Sequence, residues 1–229
     1  DNGMMLWGNA NYDYNQATMG YSADFSNGIY TKRGWTQPNL VTYQESHDEE
    51  RLMYKNINYG NTSGTYSTKN IPTGTKRNAM AAAFWATEPG PKMMWQFGEL
   101  GYDYSINTCG DGSISSNCRT DPKPVKWNYY QDADRKGLYD VYSNLFKLRN
   151  TPAYLSTFTT GAISYNLGGY IKTQSLQDAA LKIFVVGNFD VNPQSATISF
   201  PSTGTWYSYF TDSVKSVTNV IQNVTMQPG

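Results

Sequence analysis

At Pro152 the chain changes rhythm, and that change limits what it can fold into more than any other feature of its 229 residues. Before it, short apolar runs alternate with stretches of strong helix formers. After it come Leu181–Asn188, Ser195–Phe200, Thr205–Phe210 and Asn223–Gln227, short β-branched and aromatic runs separated by Gly, Pro, Asn and Asp. The second pattern predicts an antiparallel sheet or sandwich. The first predicts strands alternating with helices, the parallel α/β type. The boundary is expected near Ser156, dividing the chain into residues 1–155 and 156–229.

Within the first part, Gly3–Trp7, Leu40–Glu45 and Lys92–Phe97 predict three short buried strands. Thr75–Thr87 predicts a helix, stopped by Pro89-Gly90-Pro91. Asp134–Asn150 predicts another, because Leu138, Val141, Tyr142, Leu145 and Leu148 recur at helical spacing. Residues 15–38 show no convincing helical period and read as a loop with at most a short helix. A helix start is expected over Glu49–Lys55, and Asn56–Gly74 reads as one long loop.

The apolar run at Leu40 ends in Ser46-His47-Asp48-Glu49-Glu50-Arg51. His47 is the only histidine, and it precedes an aspartate at the C-terminal end of an expected strand. Parallel β/α barrels gather their functional residues at such strand ends. The same residues also suit a solvated helix start, with Asp48 or Glu49 favouring the N-terminus.

Lysine plus arginine equals aspartate plus glutamate at eighteen each, so charge makes no case for nucleic acid or an anionic membrane as partner. Nineteen tyrosines and six tryptophans supply rings that stack on sugars, though the same residues fill β-rich cores. No apolar run is long enough to span a membrane. The first residues lack the basic and apolar regions of a signal peptide, and the start reads as internal to a longer protein. Cys109 and Cys118 bracket a turn-rich loop that a disulfide could close, which would imply an oxidising compartment; free thiols are the alternative. A metal site would need more ligands than one histidine supplies, and no cofactor is identifiable.

Several segments, in order, resemble the α-amylase family of glycoside hydrolases. Ser46-His47-Asp48-Glu49 with Arg51 resembles its fourth signature region, at the end of barrel strand seven. Pro89-Gly90-Pro91 through Gly98-Glu99-Leu100-Gly101 resembles its strand-eight region. Phe146-Lys-Leu-Arg-Asn150 is similar to the last barrel helix, and Leu181–Asn188 with Gly204-Thr-Trp-Tyr207 to the C-terminal β-domain. Gly3–Tyr12 would then carry strand six. The resemblance implies strands six to eight of a TIM (β/α)8 barrel, followed by a self-contained antiparallel β-sandwich domain that lacks a last strand beyond Pro228-Gly229.

By that resemblance, Asp48 stabilises the oxocarbenium-like transition state of a retaining enzyme, and His47 hydrogen-bonds the same sugar ring. The nucleophile and acid/base, which must flank the scissile bond, would lie in a missing N-terminal half, as would any structural calcium. Arg51 is assigned to the substrate site, orienting carboxylates rather than touching sugar. Trp7, Tyr12 and Trp95 are either core or stacking platforms, and Glu99 either functional or bound to backbone amides. The implied partner is an α-glucan polysaccharide or oligosaccharide, along with the missing half or another copy to cover the open barrel. Ser46, where amylases usually carry asparagine, leans toward glucan branching enzymes, and the cysteine loop toward a secreted or cell-surface bacterial amylase. A noncatalytic glucan-binding protein is the third reading.

Overall fold

The computed structural model describes residues 3–229. Strand β1 (Leu6–Asn9) leads directly into helix α1 (Asn11–Met19), and the chain returns through two short 3-10 turns to strand β2 (Leu40–Tyr43). The two strands pair in parallel, with Leu6 opposite Leu40 and Asn9 opposite Tyr43. The strand expected at Gly3–Trp7 is therefore displaced toward its C-terminus, and it is not buried: Met4, Met5, Leu6 and Trp7 are all exposed. Its pairing is one-sided among the described residues, so apolar side chains lack a second layer to enter.

Helix α1 falls where a loop was expected. Its buried residues are Asn11, Tyr14, Asn15, Ala17, Thr18 and Met19, half of them polar, so no hydrophobic period marks it. The amides are used instead: Asn11 Nδ2 donates to Gln44 O (2.8 Å) and Glu50 O (2.9 Å), and Asn15 Nδ2 to Asn11 Oδ1 (2.7 Å). Gly20 ends the helix at φ 93°, a left-handed conformation that glycine adopts without penalty, and a Cβ there would lie 2.6 Å from Val191.

Helix α2 (Leu52–Tyr59) begins at the far end of the acidic segment. The expected long loop after it is divided by a small antiparallel hairpin, β3 (Thr62–Ser63) and β4 (Tyr66–Ser67), before helix α3 (Ile71–Ala86). Pro72 stands in the first turn of α3, where its missing N–H costs nothing. The expected strand Lys92–Phe97 is a correction: only Lys92 bridges, parallel to Thr42, and Phe97 turns left-handed at φ 58°. Of residues 93–97 only Phe97 is buried, and it packs locally, stacking on Tyr102 at 5.7 Å, rather than extending a sheet. Helix α4 (Ala133–Arg149) matches expectation, with Leu138, Tyr142 and Leu145 buried along one stripe and Asp132 capping its N-terminus.

A short helix α5 (Leu155–Thr160) crosses the expected boundary. Three antiparallel strands follow, β5 (Ala162–Asn166), β6 (Ile171–Gln177) and β7 (Lys182–Asn188). Then β8 (Gln194–Ser199) pairs with β11 (Ile221–Met226), and β9 (Gly204–Tyr207) pairs with β10 (Val214–Val217). Phe184, Phe200 and Trp206 form an aromatic cluster among these strands.

Alongside that cluster, the C-terminal part shares a core with the first part of the chain. Phe189 lies 5.2 Å from Phe25 and 5.7 Å from Phe84, inside the cluster of Tyr14, Trp85 and Tyr142. Polar locks reinforce this seam. Buried Arg77 on α3 donates to Ala17 O, Thr18 O, Phe189 O, Asp190 O and the Tyr66 hydroxyl. Lys172 Nζ donates to Ala23 O, Leu167 O and Gly169 O, with the Phe25 ring 4.4 Å away. Gln174 Nε2 binds Phe84 O and Thr87 Oγ1 at the end of α3.

Candidate active-site face

The C-terminal ends of β1 and β2 converge on one polar turn. Asn9, the last residue of β1, donates from Nδ2 to Glu49 Oε1 at 2.6 Å, and Ser46 Oγ donates to the other Glu49 oxygen. The Ser46 hydroxyl also accepts from the Asp48 backbone N–H at 3.0 Å. Held this way, the turn points His47 and Asp48 outward; His47 Nε2 lies 3.3 Å from Asp48 Oδ2, and both side chains are more than half exposed. The outcome is a presented carboxylate with a single imidazole beside it, not a buried helix cap.

Aromatic rings frame the pair. Trp7 meets His47 edge-on at 6.5 Å and Tyr43 at 5.7 Å, while Trp95 lies 5.5 Å from His47 on the other side. Trp7 is 58% exposed, so it offers a face to solvent rather than to the core. Tyr12 is 73% exposed on α1, and no ring pair joins it to this group among the described residues.

Beneath the face sits a buried polar layer. Arg51 does not reach the surface; its Nη1 donates to Ser46 O at 3.0 Å and lies 4.0 Å from Glu45 Oε2, with its guanidinium against Tyr102 and Trp95. It therefore sets the turn that carries Asp48 rather than presenting donors to a ligand. Glu45 Oε1 accepts from the Leu52 N–H that opens α2, at 2.6 Å. Its other oxygen has no partner, and neither does Glu99 Oε2. Burial, the largest influence, pushes both carboxyls above the ordinary range; for Glu45, Arg51 pulls the other way. A Cβ at Gly98 would stand 2.5 Å from Glu45 Oε2, so any larger residue there would have to displace that carboxyl. A third buried acid, Glu88, supports the strands from below, accepting from Tyr14 (3.0 Å) and Thr42 (3.2 Å) beside Lys92 (3.6 Å). Burial raises Glu88 and draws Lys92 down to about 7.

One functional group was invisible in the sequence. Cys109 and Cys118 are joined by a disulfide, and the next residue, Arg119, donates from Nη2 to Asp48 O and lies 3.5 Å from Asp48 Oδ1. The one available signal was a basic residue flanking a ring-closing cysteine, which says nothing about a target 71 residues away. No cluster of three or more His, Cys, Asp or Glu suited to a metal occurs among the described residues.

No protein-family model matches the chain, and no curated protein matches it. Solved structures do. AmyP in complex with maltotriose aligns with 95% of this chain and 48% of its own, at TM-score 0.66 and 14% identity. An Anoxybacillus α-amylase aligns with 95% of this chain and 43% of its own, at TM-score 0.62 and 12% identity. The chain carries an α-amylase-type fold. A cyclomaltodextrinase is also similar, over 95% of this chain and 35% of its own, at TM-score 0.61 and 16% identity. The chain thus spans about half, or less, of the length of the α-amylase-type structures it matches.

Proposed function

We propose that this chain is the C-terminal portion of a retaining α-glucan-active enzyme, with Asp48 as its transition-state-stabilising carboxylate. In this reading residues 1–155 supply strands six to eight of a (β/α)8 barrel, and 156–229 an antiparallel β-domain. The observation that carries it is the placement of Asp48. A half-exposed carboxylate stands at the C-terminal end of a parallel strand pair, fixed by its neighbours and flanked by His47 and Trp7. Catalytic groups occupy that end of β/α barrels. The similarity to AmyP, crystallised with maltotriose, supports an α-glucan as ligand.

In the mechanism, positive charge develops on the sugar ring as the glycosidic bond breaks, and a preorganised anion nearby lowers that barrier. Asp48 supplies the anion. His47 holds a ring hydroxyl, and Trp7 and Trp95 give apolar faces to sugar C–H groups. The nucleophile and acid/base come from barrel strands outside this chain. Hydrolysis is favoured over glucan transfer by the similarity to an α-amylase and a cyclomaltodextrinase. The disulfide supports a compartment outside the reducing cytoplasm, secreted or at a bacterial surface.

The test is Asp48→Asn in an enzyme that joins this chain to the rest of its barrel. Turnover on soluble starch should fall by about a hundred- to a thousandfold, roughly 3–4 kcal/mol, with much smaller loss of maltotriose affinity. Turnover within about threefold of the unaltered enzyme would remove Asp48 from the role.

A further inference from the structure

We propose that Arg119 is a positioning residue for Asp48, and that the Cys109–Cys118 ring is the arm that delivers it. The proposal rests on the reading of Asp48 as the carboxylate that faces glucan. Besides the Ser46 hydroxyl on its backbone N–H, three contacts hold that residue: Arg119 Nη2 on its main-chain oxygen, the same group 3.5 Å from Oδ1, and His47 Nε2 3.3 Å from Oδ2. Together they fix both the peptide and the carboxylate plane while leaving the side chain 59% exposed. Displacement of a catalytic group by about 1 Å can cost on the order of a hundredfold in rate, so a group that sets its orientation matters to turnover.

Arg119 is 47% exposed and follows a single 3-10 turn, Ser116–Cys118, so its own surroundings do not hold it. The ring does. Lys123 Nζ donates to Thr108 O (3.0 Å) and Cys118 O (2.6 Å), tying its two ends together alongside the disulfide. Tyr102 Oη donates to Pro124 O at 2.7 Å, anchoring the exit. At the entry, Glu50 accepts from Ser105 Oγ (2.6 Å) and the Ile106 N–H (3.1 Å). The loop is therefore fastened to one end of the acidic turn through Glu50 and carries Arg119 back to the other end at Asp48. A loop serving only as cover has no need to grip the same turn twice.

His47 is the only histidine, so its ring protons give one resolved set of NMR signals beside Asp48. The experiment follows those signals and the Asp48 amide in the 229-residue chain, with and without maltotriose. Arg119→Gln should shift both signals without ligand and leave the melting temperature within about 2 °C, as expected for one exposed ion pair. It should weaken maltotriose binding about threefold to fivefold. Arg119→Lys should restore most of each change, because it returns a charge at the same place. Cys109→Ser with Cys118→Ser should reproduce the Arg119→Gln shifts, and if that double variant fails to fold, the Arg119 pair decides alone. Unchanged signals in Arg119→Gln, or no rescue by lysine, would overturn the proposal. If the chain joined to the rest of its barrel gives no response to maltotriose, the glucan reading fails, while the ligand-free signals of the 229-residue chain still decide whether Arg119 positions Asp48.

Discussion

At the Asp48 face the charged groups are half exposed and pair with one another; at the seam between α3 and the C-terminal strands they are buried and pair with backbone carbonyls. Asp48 meets His47 and Arg119 through solvent-reached contacts, each worth a fraction of a kcal/mol up to about 1. Arg77 and Lys172 have no carboxylate in contact among the described residues, and every one of their N–H contacts goes to a neutral oxygen. The first arrangement leaves a carboxylate available to something outside. The second uses charge as a multi-pronged donor that joins segments distant in sequence. The difference separates two kinds of mutation, those that remove function from a folded chain and those that remove the fold.

The largest effect should come from Arg77→Met at the seam. It deletes a fully buried guanidinium and strands the carbonyls of Thr18, Phe189 and Asp190, each orphaned group costing roughly 1–3 kcal/mol, while Ala17 O keeps the Gly20 N–H. Chemical denaturation should show a loss of at least about 3 kcal/mol, or no folded protein. A loss near 1 kcal/mol would mean that the carbonyls find water, and the seam would be softer than the contrast requires. At the opposite face, Trp7→Ala should change stability by less than about 1 kcal/mol, because the ring is largely exposed. Maltotriose binding by titration should nevertheless fall, by about tenfold at most, if the ring is a stacking face. Equal binding would leave Trp7 as a mere neighbour of His47.

The smallest effect tests a half-buried carboxylate placed on the structural side of the contrast. Asp178 accepts from Ser156 Oγ, Thr157 Oγ1 and the N–H groups of Ala180 and Leu181, and these bonds hold it down at about 2. Its folded value lies below its unfolded one, so its contribution is complete above about pH 4 and disappears as pH falls toward 2. Asp178→Ala should therefore melt lower than the unaltered chain at pH 7 and alike at pH 2. A gap that persists in acid would show packing rather than charge at work.

How much could be read beforehand follows the same division. Helix α4 was legible because Leu138, Tyr142 and Leu145 put three apolar groups on one stripe. Helix α1 was not, because half of its buried residues are polar, among them asparagines whose partners, Gln44 and Glu50, are more than thirty residues away. Lys92–Phe97 has the composition of a strand, but a strand needs a partner edge, and only Lys92 meets one. The site divides likewise. His47 and Asp48 are adjacent in sequence and could be found together. Arg119 acts across a fold-dependent distance through a ring whose closure had to be seen. Trp7 was left between core and platform because periodicity cannot say which face of a lone parallel pair is covered.

Lys172 has one more implication. Its ammonium fills a cage of three carbonyl oxygens under an aromatic ring, a place whose chemistry would suit a small monovalent ion. Burial draws its pKa down to about 8, so the cage still holds a charge at neutral pH. Being tethered, this cation cannot be chelated, dialysed away or exchanged for another. Its local concentration is set by four methylene groups and not by the medium, and the junction between the two parts of the chain carries its own counter-charge wherever the protein goes.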